Sequence, residues 1–356
     1  MPELPEVEQF RRLLLPLCSA SQPVVITPEQ HNPPRSWPTP EQFDSIADTC
    51  YCVDVLRKGK QLCMVLTQQD SNGKENLRYM YLHMGMTGRI TTKASTCRFG
   101  SVDFKVETAW PPRFTYLTFQ MGDYTACFSD PRKFGSCLLA DDCTAFDLLA
   151  PDAWTASDHE VDSIVLPKLI EQRLGIKALL LDQKRACCGV GNWVADEVLY
   201  QVEIHPDQAF LTEKQAGAVW TQLRSILSTA VDCLDKDLDY PKEWLFRYRW
   251  TKKRAGKDYQ GRSITFVTSG GRTSAIISTL QKLSKSQGKQ KEATGATKRK
   301  QKVSSTTEKE DEQERPSRRV KKEVAEVKAV PTAKDPPGTS AVRTTRRKSA
   351  RRLITP

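Results

Sequence analysis

The sequence predicts a multidomain α+β protein. It comprises a leading helix with a β-sandwich (1–145), a helical domain (146–240), a β-hairpin (241–284) and a disordered basic tail (285–356). Seven or eight short runs rich in β-branched and aromatic residues precede residue 140, which is typical of a sandwich. From Ser163 the apolar spacing changes to the helical period of 3.6 residues. A length of 356 residues also favours two or more domains.

The tail differs from the rest of the chain in charge. Residues 285–356 contain 21 of the 54 Lys and Arg and 9 of the 43 Asp and Glu, so residues 1–284 have a net charge of −1. Such a segment cannot bury enough apolar surface to offset the entropy of ordering, and we expect it to be disordered. Its basic clusters are typical of nuclear import signals and of phosphate-binding patches. They predict a nuclear protein, with an additional organellar pool left open; a purely solubilising tail is the alternative.

The chain shows neither membrane nor disulfide patterning. No apolar run approaches transmembrane length, and the amino terminus lacks the basic-then-apolar order of a signal peptide, so we expect no membrane partner. The eleven cysteines match neither a disulfide framework nor a zinc spacing. These features predict an intracellular, reducing compartment.

The leading helix follows a candidate nucleophile. Apolar residues at helical spacing predict one amphipathic helix over 5–18. Removal of Met1 would leave Pro2 with a free amine beside Glu3 and Glu6. Because the pKa of an α-amine is about 8 and that of lysine about 10.4, a larger fraction of the terminal amine is unprotonated at neutral pH. The alternative is a proline that simply begins an acidic helix.

The remaining elements are predicted from local patterns. Strands are expected at 52–56, 61–67, 77–83, 101–106, 116–120, 125–129 and 136–139. A short helix around Ile176 precedes a glycine-rich turn and a second helix with Asn192 as its N-cap. Thr212 and Gln215 fit a capping box that opens a long helix. Strands at 263–268 and 273–279 flank a Gly-Gly turn, which places Arg272 near a hairpin tip.

Four short motifs have ordinary structural readings when each is taken alone. The run 57–60 is a turn that presents Lys60, and most such lysines are merely solvated. The run 83–88 begins with a histidine that could be purely structural. The run 130–135 could be a surface turn, and 189–192 a helix connection. Together they indicate nucleic-acid chemistry, because they combine phosphate-binding groups, a wedge-like aromatic and a terminal amine beside carboxylates.

These motifs, with the run 2–8, occur in the order found in the formamidopyrimidine-DNA glycosylase family, which also includes endonuclease VIII-like proteins. The chain resembles this family over about residues 2–283, and its runs 189–197 and 270–274 look most like the plant and fungal branch. The resemblance implies a helix-two-turn-helix in the helical domain and a hairpin finger. Because no cysteine follows Cys233, the finger is expected to hold no zinc. The candidates for its substitute core are Phe246, Tyr248, Trp250, Tyr259 and Phe266.

The resemblance also implies the catalytic residues. Pro2 would attack the deoxyribose C1′ of a damaged nucleotide, and Glu3 would transfer protons as general acid and base. Glu6 would support the site and bond to the extruded nucleotide. Lys60 would contact the phosphate and assist elimination. No cofactor is expected, since the amine itself is the electron sink.

Six further residues are implied to bind DNA. Asn192 and Arg272 would hold the phosphates that flank the lesion, and Lys177 is a further candidate for a phosphate contact. Met86, Arg132 and Phe134 would fill the gap left by the flipped nucleotide.

The function implied is that of a monomeric bifunctional DNA glycosylase and AP lyase of base excision repair. It would act on damaged double-stranded DNA, remove formamidopyrimidines, hydantoins and, more weakly, 8-oxoguanine, and cut the strand by β,δ-elimination. Its tail would bind nucleic acid nonspecifically or bind other repair proteins. The alternatives are a preference for oxidised pyrimidines, a damage-binding scaffold without catalysis, and a chromatin tether dominated by the tail.

Overall fold

A computed structural model of the chain describes residues 2–29, 33–34, 36–46, 50–69, 75–95, 109–171, 173–250 and 256–284. All of them belong to one compact unit, Met1–Ala296. The predicted strand 101–106 and the tail 285–356 lie outside the described residues. Among those residues, no helix combines the length and the apolar character that a membrane span requires.

The first element is the helix α1 (Leu4–Leu14). Its apolar side consists of Val7, Phe10 and Leu14, which are buried as their spacing predicted. The regular helix ends earlier than predicted, because Pro16 has no backbone N–H with which to continue it.

Two four-stranded antiparallel sheets form the predicted sandwich. The strands are β1 (Val25–Pro28), β2 (Cys50–Lys58), β3 (Gln61–Gln69), β4 (Glu75–His83), β5 (Arg89–Thr92), β6 (Thr115–Met121), β7 (Tyr124–Ser129) and β8 (Ser136–Ala140). One sheet has the order β1-β6-β7-β5 and the other β2-β3-β4-β8. The apolar side of α1 belongs to the same hydrophobic core as the inner faces of both sheets. The first half of the chain therefore forms one body with α1 built into it.

The second half of the chain is helical, as predicted. A short helix α2 (Pro40–Asp44) lies in the first half, and α3 (Asp158–Glu160), α4 (Leu166–Glu171), α5 (Ile176–Leu181), α6 (Asn192–Gln201) and α7 (Glu213–Asp235) follow the sandwich. The capping box at the start of α7 is confirmed, since Thr212 Oγ1 accepts the N–H of Gln215 and Gln215 Oε1 accepts the N–H of Thr212. The helices share a second core of their own.

A β-hairpin closes the described part of the chain. Strands β9 (Gly256–Lys257), β10 (Ser263–Ser269) and β11 (Arg272–Ile276) pair antiparallel in the order β11-β10-β9. Gly270 and Gly271 both have positive φ, at 57° and 70°, as a two-residue hairpin turn requires. Ser269 pairs with Arg272, so the arginine stands at the tip as predicted.

The hairpin core differs in part from the predicted one. Tyr248 and Phe266 pack against the small cluster formed by Tyr200, Leu245, Ile264, Ala275 and Ile277, and Phe246 packs in the core of the helices. Trp250 and Tyr259, however, are 47% and 42% exposed. Their prediction as core residues is wrong, because Tyr200, Leu245 and the aliphatic residues of the hairpin fill the buried cluster, and Trp250 only meets the Phe246 ring from outside, with ring centres 5.5 Å apart.

Candidate active site

The amino terminus is buried between the sandwich and the helices. The N–H of Leu4 donates to Gly189 O at 3.2 Å. Gly189 has a φ of +103°, and a Cβ there would lie 2.5 Å from the Leu4 side chain, so only glycine fits. Pro2 and Glu3 are buried beside this contact. The start of α1 is thereby held against the turn before α6.

Glu3 caps α6. Its two carboxylate oxygens accept the N–H groups of Trp193 at 2.9 Å and Val194 at 3.0 Å. A Cβ on Gly191 would lie 2.2 Å from the Glu3 carboxyl carbon, so the glycine makes room for the carboxylate. The prediction that Asn192 is the N-cap is therefore wrong: Gly191 has that position, and the capping oxygens come from Glu3. The carboxylate is fixed by backbone groups on the opposite side of the domain boundary.

Glu6 lies behind Glu3. One of its carboxyl oxygens accepts the N–H of Glu3 at 2.9 Å, and the side chain is almost completely buried. Burial, together with the charge of Glu3, raises the pKa of Glu6 to about 8. At neutral pH this carboxyl is therefore mostly protonated, and it can donate a hydrogen bond.

Lys60 occupies the turn between β2 and β3. Gly59 has a φ of +58°, and a Cβ there would lie 2.9 Å from Cys188 Sγ, so the turn needs glycine. Burial and the nearby charge of Arg272 lower the pKa of Lys60, while the charges of Glu3 and Glu6 raise it. The ammonium therefore lies within electrostatic range of the carboxyl groups of Glu3 and Glu6 and of the guanidinium of Arg272.

Asp152 anchors this turn from the helical half. It accepts the N–H of Gly59 at 2.7 Å and bonds to the Arg57 guanidinium at 2.6 Å. Arg57 also bonds to Glu8 of α1 at 2.9 Å. Arg57 thus links the start of the Lys60 turn to α1 and to the helical half. Sequence reasoning missed Asp152, because nothing in the local pattern relates it to a turn 93 residues earlier.

His83 lies near Lys60, a proximity that sequence reasoning did not predict. The register of β3 and β4 pairs it with Gln61, directly after Lys60. Burial and the charge of Lys60 lower the pKa of His83, so the imidazole is neutral at pH 7. The register of the hairpin could have shown this proximity, since the strand bounds were predicted closely.

Met86, Arg132 and Phe134 lie on two loops that a buried aspartate joins. Asp130 accepts the hydroxyl of Thr87 at 2.5 Å and the backbone N–H groups of Arg132, Phe134 and Gly135, at 3.2, 2.7 and 2.7 Å. Phe134 is 54% exposed, with the Arg132 guanidinium 4.8 Å from its ring centre. An exposed aromatic ring on a rigid turn is suited to insertion between stacked bases.

Asn192 and Arg272 are brought together at the hairpin tip. The Asn192 side-chain amide donates to Thr273 O at 3.1 Å, one residue after the exposed Arg272. Both predicted phosphate-binding residues therefore lie beside the α6 N-terminus, which favours anions.

Lys177 does not belong to this surface. The side chain is 0% exposed, and its ammonium donates to Asp196 at 2.5 Å, Ser274 Oγ at 2.6 Å and Thr273 O at 3.3 Å. The prediction that Lys177 contacts phosphate is wrong for this geometry, because all three donors face protein acceptors in the interior. Within the described ranges, no cluster of His, Cys, Asp or Glu could hold a metal ion.

Comparison with solved structures shows which fold the chain has. The fold is similar to that of Lactococcus lactis formamidopyrimidine-DNA glycosylase bound to DNA containing an AP site, with a TM-score of 0.58 and 21% identity over 79% of this chain and 100% of that one. It is equally similar to MutM in complex with DNA containing carbocyclic 8-oxoguanine, with a TM-score of 0.59 and 21% identity over the same shares. The chain thus has the two-part fold of these structures, with an amino-terminal sandwich followed by a helical half.

Sequence comparison identifies the family. Residues 1–137 match the formamidopyrimidine-DNA glycosylase N-terminal domain, and residues 149–238 match its H2TH domain. A formamidopyrimidine-DNA glycosylase of Arabidopsis thaliana is 31% identical over 291 residues, which cover 80% of this chain and 71% of the relative. One of Azorhizobium caulinodans is 30% identical over 65% of this chain and 76% of the relative. The chain belongs to the formamidopyrimidine-DNA glycosylase family of enzymes.

Proposed function

We propose that the protein is a bifunctional DNA glycosylase and AP lyase that uses the Pro2 amine as its nucleophile. The observation that supports this most strongly is that Glu3, next to the buried Pro2, bonds to Glu6 and interacts electrostatically with Lys60. Attack of the proline nitrogen on C1′ of a damaged nucleotide forms a C–N bond and breaks the bond to the base, which leaves with the proton of the amine. Protonation of the ring oxygen then breaks the C1′–O4′ bond, opens the sugar and yields an iminium. The iminium acidifies the 2′ carbon, so β- and then δ-elimination break the two phosphate ester bonds.

Each neighbouring group has a defined part in this proposal. Glu3 protonates the sugar ring oxygen and removes protons during the eliminations, from the position that the α6 N–H groups fix. Glu6 is mostly protonated at pH 7, so it adds no second negative charge beside the amine. Lys60 balances the phosphate charge as the leaving group departs. Initiator Met removal is required, since only Pro2 with a free amine can react.

The DNA surface follows from the same arrangement. Arg272 and Asn192 would bind the phosphates beside the lesion, and Phe134 would wedge the stack, with Met86 and Arg132 filling the vacated space. The named activity of the relatives supports oxidised purines, above all ring-opened ones, as substrates. We place 8-oxoguanine lower, because the segment 248–262 differs from the bacterial loop that covers this base.

The test is borohydride trapping on a panel of duplexes that contain an abasic site, formamidopyrimidine, 8-oxoguanine or an oxidised pyrimidine. We expect covalent adducts with the first two, and almost none for Glu3→Gln on base-containing duplexes. A matched control is Glu213→Gln, because Glu213 is an exposed carboxylate on α7, outside the candidate site. Binding to every duplex without any adduct, from protein that starts at Pro2, would leave only a damage-binding scaffold. Stronger trapping with the pyrimidine lesion would reverse the substrate order.

For localisation we propose the nucleus, on the basis of the basic clusters in 285–356. A fluorescent protein fused to the carboxyl terminus leaves Pro2 free. Deletion of 285–356 before the fusion is expected to abolish nuclear accumulation. Unchanged accumulation would contradict this role of the tail.

A further inference from the structure

The hairpin that presents Arg272 is joined to α6 by a buried ion cluster. At its centre is Asp196, whose side chain is almost inaccessible. One carboxylate oxygen lies 2.5 Å from Lys177 Nζ, and the other lies 2.5 Å from the Arg249 guanidinium and accepts the N–H of Ala275 at 3.0 Å. The two cations and the backbone group together occupy both oxygens.

This cluster contacts three consecutive residues of β11. Asp196 bonds to Ala275 directly, and the Lys177 ammonium bonds to Ser274 and Thr273. The carbonyl of Thr273 also accepts the Asn192 side chain. The cluster therefore fixes the strand immediately after Arg272. The same strand is in contact with Asn192, the other residue that is proposed to bind phosphate.

The turn of the hairpin is fitted to the same surface. A Cβ on Gly270 would lie 2.9 Å from the Ala178 backbone, next to Lys177 on α5. The apolar contacts of the hairpin, through Ile264, Ala275 and Ile277, are non-directional. By themselves they do not determine where the hairpin lies on α6. Buried ion pairs add little net stability but do specify geometry, because their charges and hydrogen bonds are satisfied in only one arrangement.

We propose that Asp196 is a positioning residue that holds β11, and with it Arg272, beside Asn192, so that the two side chains bind the DNA phosphates beside the lesion. The proposal rests on the proposed function, since it assumes that Arg272 binds DNA. Asp196 acts through β11 and does not itself touch DNA.

A double-mutant cycle tests the coupling. Affinity for a duplex with a reduced abasic site is measured against salt concentration for the wild type, Arg272→Ala, Asp196→Asn and the double variant. We expect Arg272→Ala to lower the salt slope by about one and to weaken binding about tenfold. In the Asp196→Asn background the same change should weaken binding less than about threefold, because Arg272 is already displaced.

Asp258→Asn provides the matched control. Asp258 is also a buried hairpin aspartate, paired with Arg262 at 2.6 Å, and it accepts the hydroxyl of Tyr200 on α6 at 3.2 Å. Unlike Asp196, it makes its hydrogen bonds in the described part of the chain to residues outside β11. In this background we expect the full tenfold effect of Arg272→Ala. Should Asp196→Asn fail to fold, Ser274→Ala replaces it, because this change removes one bond to Lys177 and leaves every charge in place.

Amide hydrogen exchange gives a readout without DNA. We expect residues 272–276 to exchange faster in Asp196→Asn or Ser274→Ala than in Asp258→Asn. Equal protection of this strand, or an undiminished effect of Arg272→Ala in both test backgrounds, would overturn the proposal. If the wild type did not bind abasic DNA, or if Arg272→Ala left its affinity for this DNA unchanged, the proposed function would be refuted instead.

Discussion

The contact between Gly191 and Glu3 yields the sharpest test of the site. Gly191 has an extended backbone that any residue could adopt, at φ −121° and ψ −160°. The constraint on this position is steric, because a Cβ there would lie 2.2 Å from the Glu3 carboxyl carbon. Gly191→Ala therefore expels the carboxylate from the α6 N-terminus. Two hydrogen bonds to a charged group, each worth about 1.5–3 kcal/mol, are lost or strained. Partial relaxation leaves an expected loss of about 2–4 kcal/mol in the free energy of unfolding.

The assay combines urea unfolding with the rate of borohydride trapping on a duplex that contains formamidopyrimidine. Displacement of a general acid and base is expected to slow trapping by about 100-fold or more. Gly217→Ala is the matched control, because a Cβ at this position on α7 meets nothing within 4 Å. It should raise stability by about 0.5–1 kcal/mol and leave trapping unchanged. A Gly191→Ala protein that traps DNA at the wild-type rate would refute the role assigned to the capped carboxylate.

Three further predictions follow from individual contacts. Asp152→Asn leaves the buried Arg57 short of one partner and frees the Gly59 N–H, so urea unfolding should show a loss of about 3–5 kcal/mol, and strand cleavage should slow as Lys60 moves. Phe134→Ala should change stability by less than about 0.5 kcal/mol, because the ring is exposed; the rate of excision of a damaged base should fall more than the rate of incision at a preformed abasic site. For Glu6, the pKa is raised to about 8 in the folded state, so its stabilising contribution is complete below the ordinary value of 4.5 and is lost as pH rises to 8. Glu6→Gln should therefore reduce the fall of the unfolding free energy between pH 4.5 and 8 by about 1 kcal/mol per pH unit. An unchanged dependence on pH would contradict a protonated Glu6.

Local patterns in the sequence predicted the elements well. The spacing of Val7, Phe10 and Leu14 determines which side of α1 is buried, and the Gly-Gly turn determines the register of its hairpin. Both depend on residues a few positions apart. The motif residues Pro2, Lys60 and Arg272 were likewise predicted from local runs, and Lys60 interacts electrostatically with Arg272 and with Glu3, the residue after Pro2.

The errors at Asn192 and Lys177 share a physical cause, which is a partner distant in the chain. Asn192 has the sequence character of an N-cap, but Glu3 supplies the capping oxygens from 190 positions away. Lys177 has the character of a surface cation, and only the fold shows Asp196 and β11 around it. Propensities rank residues for their own segment, so they cannot register a side chain that arrives from another domain.

The identity of the nucleophilic nitrogen is the central claim. Pro2 has a rival in Lys60, a half-buried lysine that interacts with Glu3 and whose pKa is lowered by desolvation, as in lysines that form Schiff bases. The decisive measurement is mass mapping of the borohydride-trapped peptide from protein that begins at Pro2. We expect the reduced sugar on the peptide that contains residues 2–11, with the mass on the proline nitrogen. An adduct on the Lys60 peptide would contradict the mechanism and assign the nucleophile to the β2–β3 turn.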